Sequence, residues 1–228
     1  MIRLLALLGW MMAGAVWIAG SAAGPTWAGD GVPARGLLSD KDFFRLATCG
    51  ARVGGPCQGP TVRWRNPKIS VALTSDPGGM PPKKAKAVSD ALDAAIAEIN
   101  AAGSAVRLTR NDALRRANII VRRVPIREGG RTKGIPDVND GEKIGVGYNY
   151  VWWVGNRDLT QATVLISYQI TYADLKSVVL EEVFQSLGFR FDIENRKYEG
   201  RSILSQDSNA TTKIRGQDAA ILRMLYPK

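Results

Sequence analysis

The longest regular pattern of hydrophobic positions lies between residues 83 and 101. Its apolar residues recur at intervals of three and four positions, at Val88, Ala91, Leu92, Ala95, Ile96 and Ile99. This spacing predicts an amphipathic α-helix, because residues three and four apart share one helix face. Pro81 and Pro82 precede the segment and Gly103 follows it, as expected at the start and the end of a helix. We therefore predict a long helix packed on a sheet.

Shorter apolar runs rich in β-branched and aromatic residues predict five strands. They lie at residues 62–73, 105–110, 117–124, 145–154 and 162–170. The polar stretch 127–143 has no apolar period and predicts a long loop, either a lid or a surface excursion. Three further helices are predicted at 39–51, at 174–187 before Gly188, and at the C-terminus. The predicted fold class is α+β with a mixed twisted sheet.

The first 28 residues have the pattern of a secretory leader. Arg3 precedes an uncharged and mostly apolar run over residues 4–20, and small residues follow it up to Ala28. We expect an exported protein, periplasmic or secreted, with an N-terminal membrane anchor as the alternative. Residues 29–60 then form an N-terminal extension, and residues 61–228 form a single domain.

Cys49 and Cys57 are the only cysteines of the chain. In an exported protein such a pair predicts a disulfide, which here closes a small loop within the N-terminal extension. The spacing does not fit a C-x-x-C redox motif.

Composition narrows the chemistry further. The chain has no histidine, which excludes an imidazole base, a Ser-His-Asp triad and a histidine-ligated zinc ion. It carries 31 Lys and Arg against 21 Asp and Glu, for a net charge of +10, and nine basic residues fall between Arg107 and Lys133. For an exported chain this charge favours an anionic envelope surface over nucleic acid as a partner.

Residues 180–192, LEEVFQSLGFRFD, resemble the active-site helix of the metzincin metallopeptidases. The metzincin pattern is H-E-x-x-H-x-x-G-x-x-H. Glu182 stands at the general-base position and Gly188 at the glycine. The three histidine positions hold other residues, namely Glu181, Gln185 and Phe191.

The resemblance extends beyond this helix. The predicted order of strands and helices is similar to that of a metzincin catalytic domain, and residues 202–205 stand where the methionine turn would be. The array over about residues 39–226 is similar to an exported bacterial family of unknown function, DUF2927. The resemblance implies a metzincin-like (zincin) scaffold that has lost its zinc, because Phe191 cannot ligate a metal and Glu181 and Gln185 replace imidazoles. We expect no metal and no cofactor, with oxygen ligation of Ca²⁺ or Mg²⁺ by Glu181, Gln185, Asp192 and Glu194 as the alternative.

The resemblance also implies a groove between this helix and the edge strand 145–154. By alternation, Tyr148, Tyr150 and Trp152 share one face of that strand, either lining the groove or packing across strands. We expect a non-catalytic binding or scaffold module of the cell envelope, with a peptide or envelope protein as partner. Two alternatives stay open. One is a hydrolase that uses Glu182, metal-free or with an oxygen-ligated metal, and the other is a basic component that adheres to the envelope surface.

Overall fold

The computed structural model describes residues 31–74, 79–155 and 157–228. The predicted leader, residues 1–28, lies outside these ranges. Among the described residues, none of the helices has the length and apolarity that a bilayer crossing requires. The chain folds as a mixed α+β structure, which confirms the predicted fold class.

The elements follow one another along the chain as predicted, with some shifted ends. The strands are β1 (Val32–Pro33), β2 (Lys68–Leu73), β3 (Arg107–Arg110), β4 (Ile119–Val124), β5 (Gly147–Val154), β6 (Asp158–Ser167) and β7 (Ile193–Glu194). The helices are α1 (Asp40–Cys49), α2 (Pro82–Ala101), α3 (Leu175–Gln185) and α4 (Gly216–Leu225). The largest shift is in β2, which begins after Pro67, six residues later than predicted. Strand β6 begins four residues before the predicted position because its polar start pairs with β5. The two-residue strands β1 and β7 were not predicted.

The main sheet has five strands in the order β3-β2-β4-β6-β5. The first four strands run parallel, and β5 joins β6 antiparallel at one edge. The helices α2 and α3 pack on one face of this sheet, where the main apolar core lies. The opposite face beside β5 carries a second, smaller core beneath the loop of residues 125–146. The edge strand β5 is therefore covered on both faces and open along one side.

The turn after α3 depends on a glycine. Gly188 has φ +115°, and a Cβ atom there would lie 2.2 Å from the carbonyl oxygen of Val62. Only a residue without a side chain fits this close approach. The chain then leaves α3 toward α1, and Phe191 donates its backbone N–H to the carbonyl oxygen of Ala47.

The predicted disulfide between Cys49 and Cys57 is confirmed, with the two Cα atoms 5.1 Å apart. It ties the last residue of α1 to the loop that follows. The disulfide constrains the chain only locally, since the two cysteines are eight positions apart.

A buried carboxyl group holds the C-terminal part of the fold. Asp218 of α4 is fully buried and accepts hydrogen bonds from the Ser202 hydroxyl at 2.7 Å and the Ile203 backbone N–H at 2.9 Å. The Ser202 oxygen in turn accepts from the N–H of Leu204. Asp218 therefore fixes the turn at residues 202–205 to α4.

Candidate functional site

A cavity of about 650 Å³ lies where α3 meets the edge strand β5. Its remaining walls come from the loop of residues 125–146 and from the segments after α3. The lining residues on β5 and α3 include Gly147, Asn149, Glu181, Glu182 and Gln185. Asp192 and Gln206 close the cavity from the C-terminal side. The helix with the metzincin-like pattern thus faces this cavity.

Gly147 sets the distance between β5 and α3. A Cβ atom at this position would lie 2.4 Å from the Oε1 atom of Glu182 and 2.4 Å from the Cγ1 atom of Val178. No side chain fits there without moving the helix. The glycine therefore lets the Glu182 carboxyl group lie directly against the backbone of the edge strand.

Three of the four carboxyl groups that border the cavity lie on α3 and the segment after it. Glu182 is only 8% exposed, and its Oε2 atom has no hydrogen-bond partner among the described residues. Glu181 and Asp192 are half-buried. Asp192 accepts a hydrogen bond from the amide Nε2 of Gln185 at 2.7 Å, which fixes this aspartate toward the helix.

Burial raises the pKa of all three groups, and repulsion by neighbouring carboxylates adds to it for Glu181 and Glu182. The pKa of Glu182 lies well above its ordinary value because the group is desolvated and faces Asp192. Desolvation, Asp192 and Glu182 together raise the pKa of Glu181. Desolvation raises the pKa of Asp192 to about 7, against a smaller lowering by the Gln185 hydrogen bond. The cavity therefore concentrates three carboxyl groups whose pKa values all lie above their ordinary values.

No cationic side chain of the described residues neutralises these acids. All ion pairs among the described residues involve carboxylates other than Glu181, Glu182 and Asp192. Lys143 and Glu128 also border the cavity, but both are exposed at its rim. The acid cluster consequently faces the cavity without a counter-ion from the described fold.

Two further residues that border the cavity carry acceptors without a partner among the described residues. The Oδ1 atom of Asn149, a residue 7% exposed, is buried without a hydrogen-bond partner in the described structure. The Oε1 atom of Gln206 is also buried without a hydrogen-bond partner among the described residues. Neither residue was predicted from the sequence. Asn149 alternates with the aromatic ladder and so had a detectable signal, whereas nothing in the pattern marks Gln206.

The acids do not form a metal centre within the described ranges. There, no three His, Cys, Asp or Glu side chains are arranged to hold one metal ion together. Glu194, the fourth residue of the alternative oxygen site, is exposed on β7 and does not border the cavity.

The aromatic ladder lies mostly on the other side of the sheet. Tyr150 is 1% exposed and packs with Leu165 in the second core, together with the half-buried Trp152. Trp152 donates its Nε1–H to the carbonyl oxygen of Asp137 in the covering loop. Only Tyr148 of the three predicted groove residues borders the cavity. The expected groove between the whole ladder and α3 is therefore not formed, because even-numbered residues of β5 face away from the helix.

Phe191, at the third histidine position, also lies away from the cavity. Its ring packs so closely on Gly50 that a Cβ atom there would lie 2.6 Å from it. The preceding Arg190 stacks on Trp153 and Phe191 and donates to the carbonyl oxygen of Pro60. Phe191 is thus an apolar anchor between α1 and the segment after α3, and the next residue, Asp192, reaches the cavity.

Two of the nine basic residues in the predicted basic region form ion pairs within the described fold. Arg110 forms ion pairs with Asp93 and Asp112, at 2.8 and 2.7 Å. Arg122 lies 3.7 Å from Asp137. Internal pairing leaves fewer free cations for an anionic surface than the sequence count suggests.

The open side of β5 offers main-chain hydrogen-bonding groups. Ser167 donates its N–H to the carbonyl oxygen of Val146, so residues 146 and 167 form a hydrogen-bonded pair. In an antiparallel ladder such pairs alternate with pairs whose N–H and C=O groups point outward. The register of β5 therefore turns the main-chain groups of Gly147, Asn149 and Val151 toward the open edge.

A family model described as a protein of unknown function (DUF2927) matches residues 50–228. No curated protein matches the chain.

Proposed function

Because the chain belongs to the DUF2927 family, whose function is unknown, we propose a function from the site itself. The protein is a non-catalytic binding module, built on a metzincin-like scaffold, that holds an extended peptide along the open edge of β5. The observation that carries this proposal is the cavity between that edge and α3, with the outward main-chain groups of Gly147 and Asn149 on one wall.

Strand addition explains the binding mode. An extended peptide can pair with the outward N–H and C=O groups of β5, and alternate side chains of the peptide then enter the cavity. The antiparallel edge strand beside the helix of Glu182 supports the metzincin-like part of the proposal. The missing histidines support the non-catalytic part, since Glu182 has no zinc-bound water to activate.

The disulfide supports the exported setting. Disulfides persist in oxidising compartments outside the cytoplasm, and Cys49–Cys57 closes a surface loop next to α1. N-terminal sequencing of the protein from culture medium and periplasm tests this part. A new N-terminus close to residue 29 supports cleavage and export, whereas an intact Met1 in the cytoplasm contradicts them.

The binding mode is tested with peptides selected from a random decapeptide library. Each selected peptide is resynthesised with one N-methylated residue at a time, which removes one peptide N–H. Strand addition predicts a two-residue period, with binding weakened about tenfold by alternate N-methyl groups and unchanged by the others. A flat profile, or a library that yields no binder, contradicts the proposal.

A pair of variants at one position tests the protein side. Asn149→Pro removes one outward N–H, at an edge where proline is tolerated, and should weaken binding about tenfold. Asn149→Ala loses the same amide side chain but keeps the N–H, so it is the control against which the loss in Asn149→Pro is measured. Equal binding by both variants, with unchanged urea midpoints, would place the peptide elsewhere.

A second candidate function is acid–base hydrolysis by Glu182. The raised pKa values of Glu182 and Asp192 favour it, since catalytic carboxyl groups are often tuned toward neutral pH. Incubating the selected peptides with the protein and following them by mass spectrometry tests it. Cleavage that Glu182→Gln abolishes would support the hydrolase, and intact peptides after prolonged incubation would exclude it for these sequences.

A further inference from the structure

We propose that the cavity beside β5 selects a basic side chain, lysine or arginine, from the peptide that the edge strand binds. This inference rests on the proposed function and names its specificity. It follows from three features of the cavity, namely unpaired acceptors, uncompensated negative charge and the space beside Gly147.

The first feature is that the cavity is rich in acceptors that lack donors. The Oε2 atom of Glu182 and the Oδ1 atom of Asn149 belong to side chains more than nine-tenths buried, and neither has a hydrogen-bond partner within the described structure. Gln206 adds a third such oxygen. Buried acceptors are normally satisfied, so a ligand that fills this cavity must bring several N–H donors.

The second feature is charge. Glu181, Glu182 and Asp192 border the same space, and no Lys or Arg of the described chain forms an ion pair with them. The exposed Lys143 lies at the rim. A bound cation would offset the repulsion that raises the pKa values of Glu181 and Glu182 and would favour the ionised form of Asp192, so its entry should release protons at neutral pH.

The distribution of the acceptors favours an organic cation over a metal ion. No three acids among the described residues are arranged around a single ion. An ammonium group has three donors and a guanidinium group has five, spread over a larger volume than a metal ion. Separated acceptors such as Asn149 and Glu182 therefore fit these groups.

The third feature is the path into the cavity. A peptide residue paired beside Gly147 projects its side chain toward α3, and Gly147 has no side chain to block it. The Glu182 carboxyl group lies directly at this point. A long aliphatic side chain with a terminal cation can follow this path and keep its charged end at the acids.

The test uses one selected peptide with a single position varied. The residue that enters the cavity is replaced in turn by arginine, lysine, citrulline, norleucine and glutamate, and each affinity is measured by calorimetry. Citrulline matches arginine in shape without its charge. We expect the peptides with arginine or lysine at this position to bind at least about tenfold more tightly than those with citrulline or norleucine. Binding of the basic peptides should release protons, which is measured by comparing buffers of different ionisation enthalpy.

Matched variants identify the acids that recognise the cation. Glu182→Gln keeps the size of the side chain and should remove most of the preference for arginine over citrulline. Glu194→Gln changes an exposed glutamate outside the cavity and should leave the preference unchanged. An unchanged preference in Glu182→Gln would overturn the assignment of the cation to this cavity.

The binding of small probes separates this inference from the proposed function. Butylguanidinium carries a positive charge and butylurea is its neutral counterpart, and CaCl₂ and MgCl₂ test the metal alternative. Peptides that bind without any charge preference overturn the inference and leave strand addition standing. Butylguanidinium that binds while all peptides fail supports the cation site and contradicts strand addition. Metal binding with no guanidinium preference contradicts the organic cation, and failure of every probe contradicts both proposals.

Discussion

Glu182 in the cavity and Asp218 at the start of α4 are both buried carboxyl groups, but the fold surrounds them differently. Asp218 accepts two hydrogen bonds, from Ser202 and Ile203, that fix a turn to a helix. Glu182 has a buried oxygen with no partner among the described residues. Burial raises the pKa of both, to about 6 for Asp218. Hydrogen bonding, and not burial or pKa alone, therefore separates a structural carboxyl group from one available to a ligand.

The strongest test of this comparison removes the structural carboxyl group. Asp218→Ala should lower the free energy of unfolding by about 3 kcal/mol, because a backbone N–H and a hydroxyl group lose their acceptor inside the core. Urea unfolding at pH 7 measures the change. The control Asp207→Ala alters an exposed aspartate nearby and should change stability by less than about 0.5 kcal/mol. A loss for Asp218→Ala below about 1 kcal/mol would remove the distinction between the two carboxyl groups.

The second test should change the free energy of unfolding in the opposite direction. Glu182→Gln should raise the free energy of unfolding by about 1 kcal/mol at pH 8, because it removes a buried charge that has no partner. The folded-state pKa is raised, so stability is lost as pH rises from the ordinary value through the folded-state pKa, and none is lost below the ordinary value. The gain should therefore disappear at pH 4. A variant that is destabilised at pH 8, as expected for Asp218→Ala, would show that Glu182 has a structural role.

Local patterns predicted the elements that hold the cavity. The spacing of apolar residues gave α2 within one residue, and the run of β-branched and aromatic residues located β5. Alternation correctly grouped Tyr148, Tyr150 and Trp152 on one face. Alternation does not tell which face of a strand a helix will cover, and the ladder turned out to face the loop.

Long-range packing decided the rest of the site. Asp192 reaches the cavity only because Phe191 anchors on Gly50 and Gln185 donates to the aspartate. Gln206 is fourteen positions further along the chain and carries no periodic signal. Hydrogen bonds between distant segments, rather than local spacing, bring such residues together, and a single sequence does not encode them in a readable period.

The smallest expected effect concerns the pH dependence of stability. The folded-state pKa of Asp192 is about 7 and its ordinary value is 3.8, so the folded protein retains a proton that the unfolded chain loses in this window. Stability therefore falls as pH rises from about 4 to about 7. Asp192→Asn should flatten this fall, most visibly between pH 6 and 7, above the pKa of Asp218.

The change in stability on Asp192→Asn should be small. Asp192 is half-buried, so solvent screens part of its charge and the change should remain below about 1 kcal/mol. Asparagine can still accept from Gln185, which preserves the local geometry. Asp192 also raises the pKa of Glu181 and Glu182, so its removal lowers both and flattens the slope further. Urea midpoints at one-unit pH intervals measure the slope, and an unchanged slope between pH 6 and 7 would mean that Asp192 is ionised throughout, as it would be beside a resident cation.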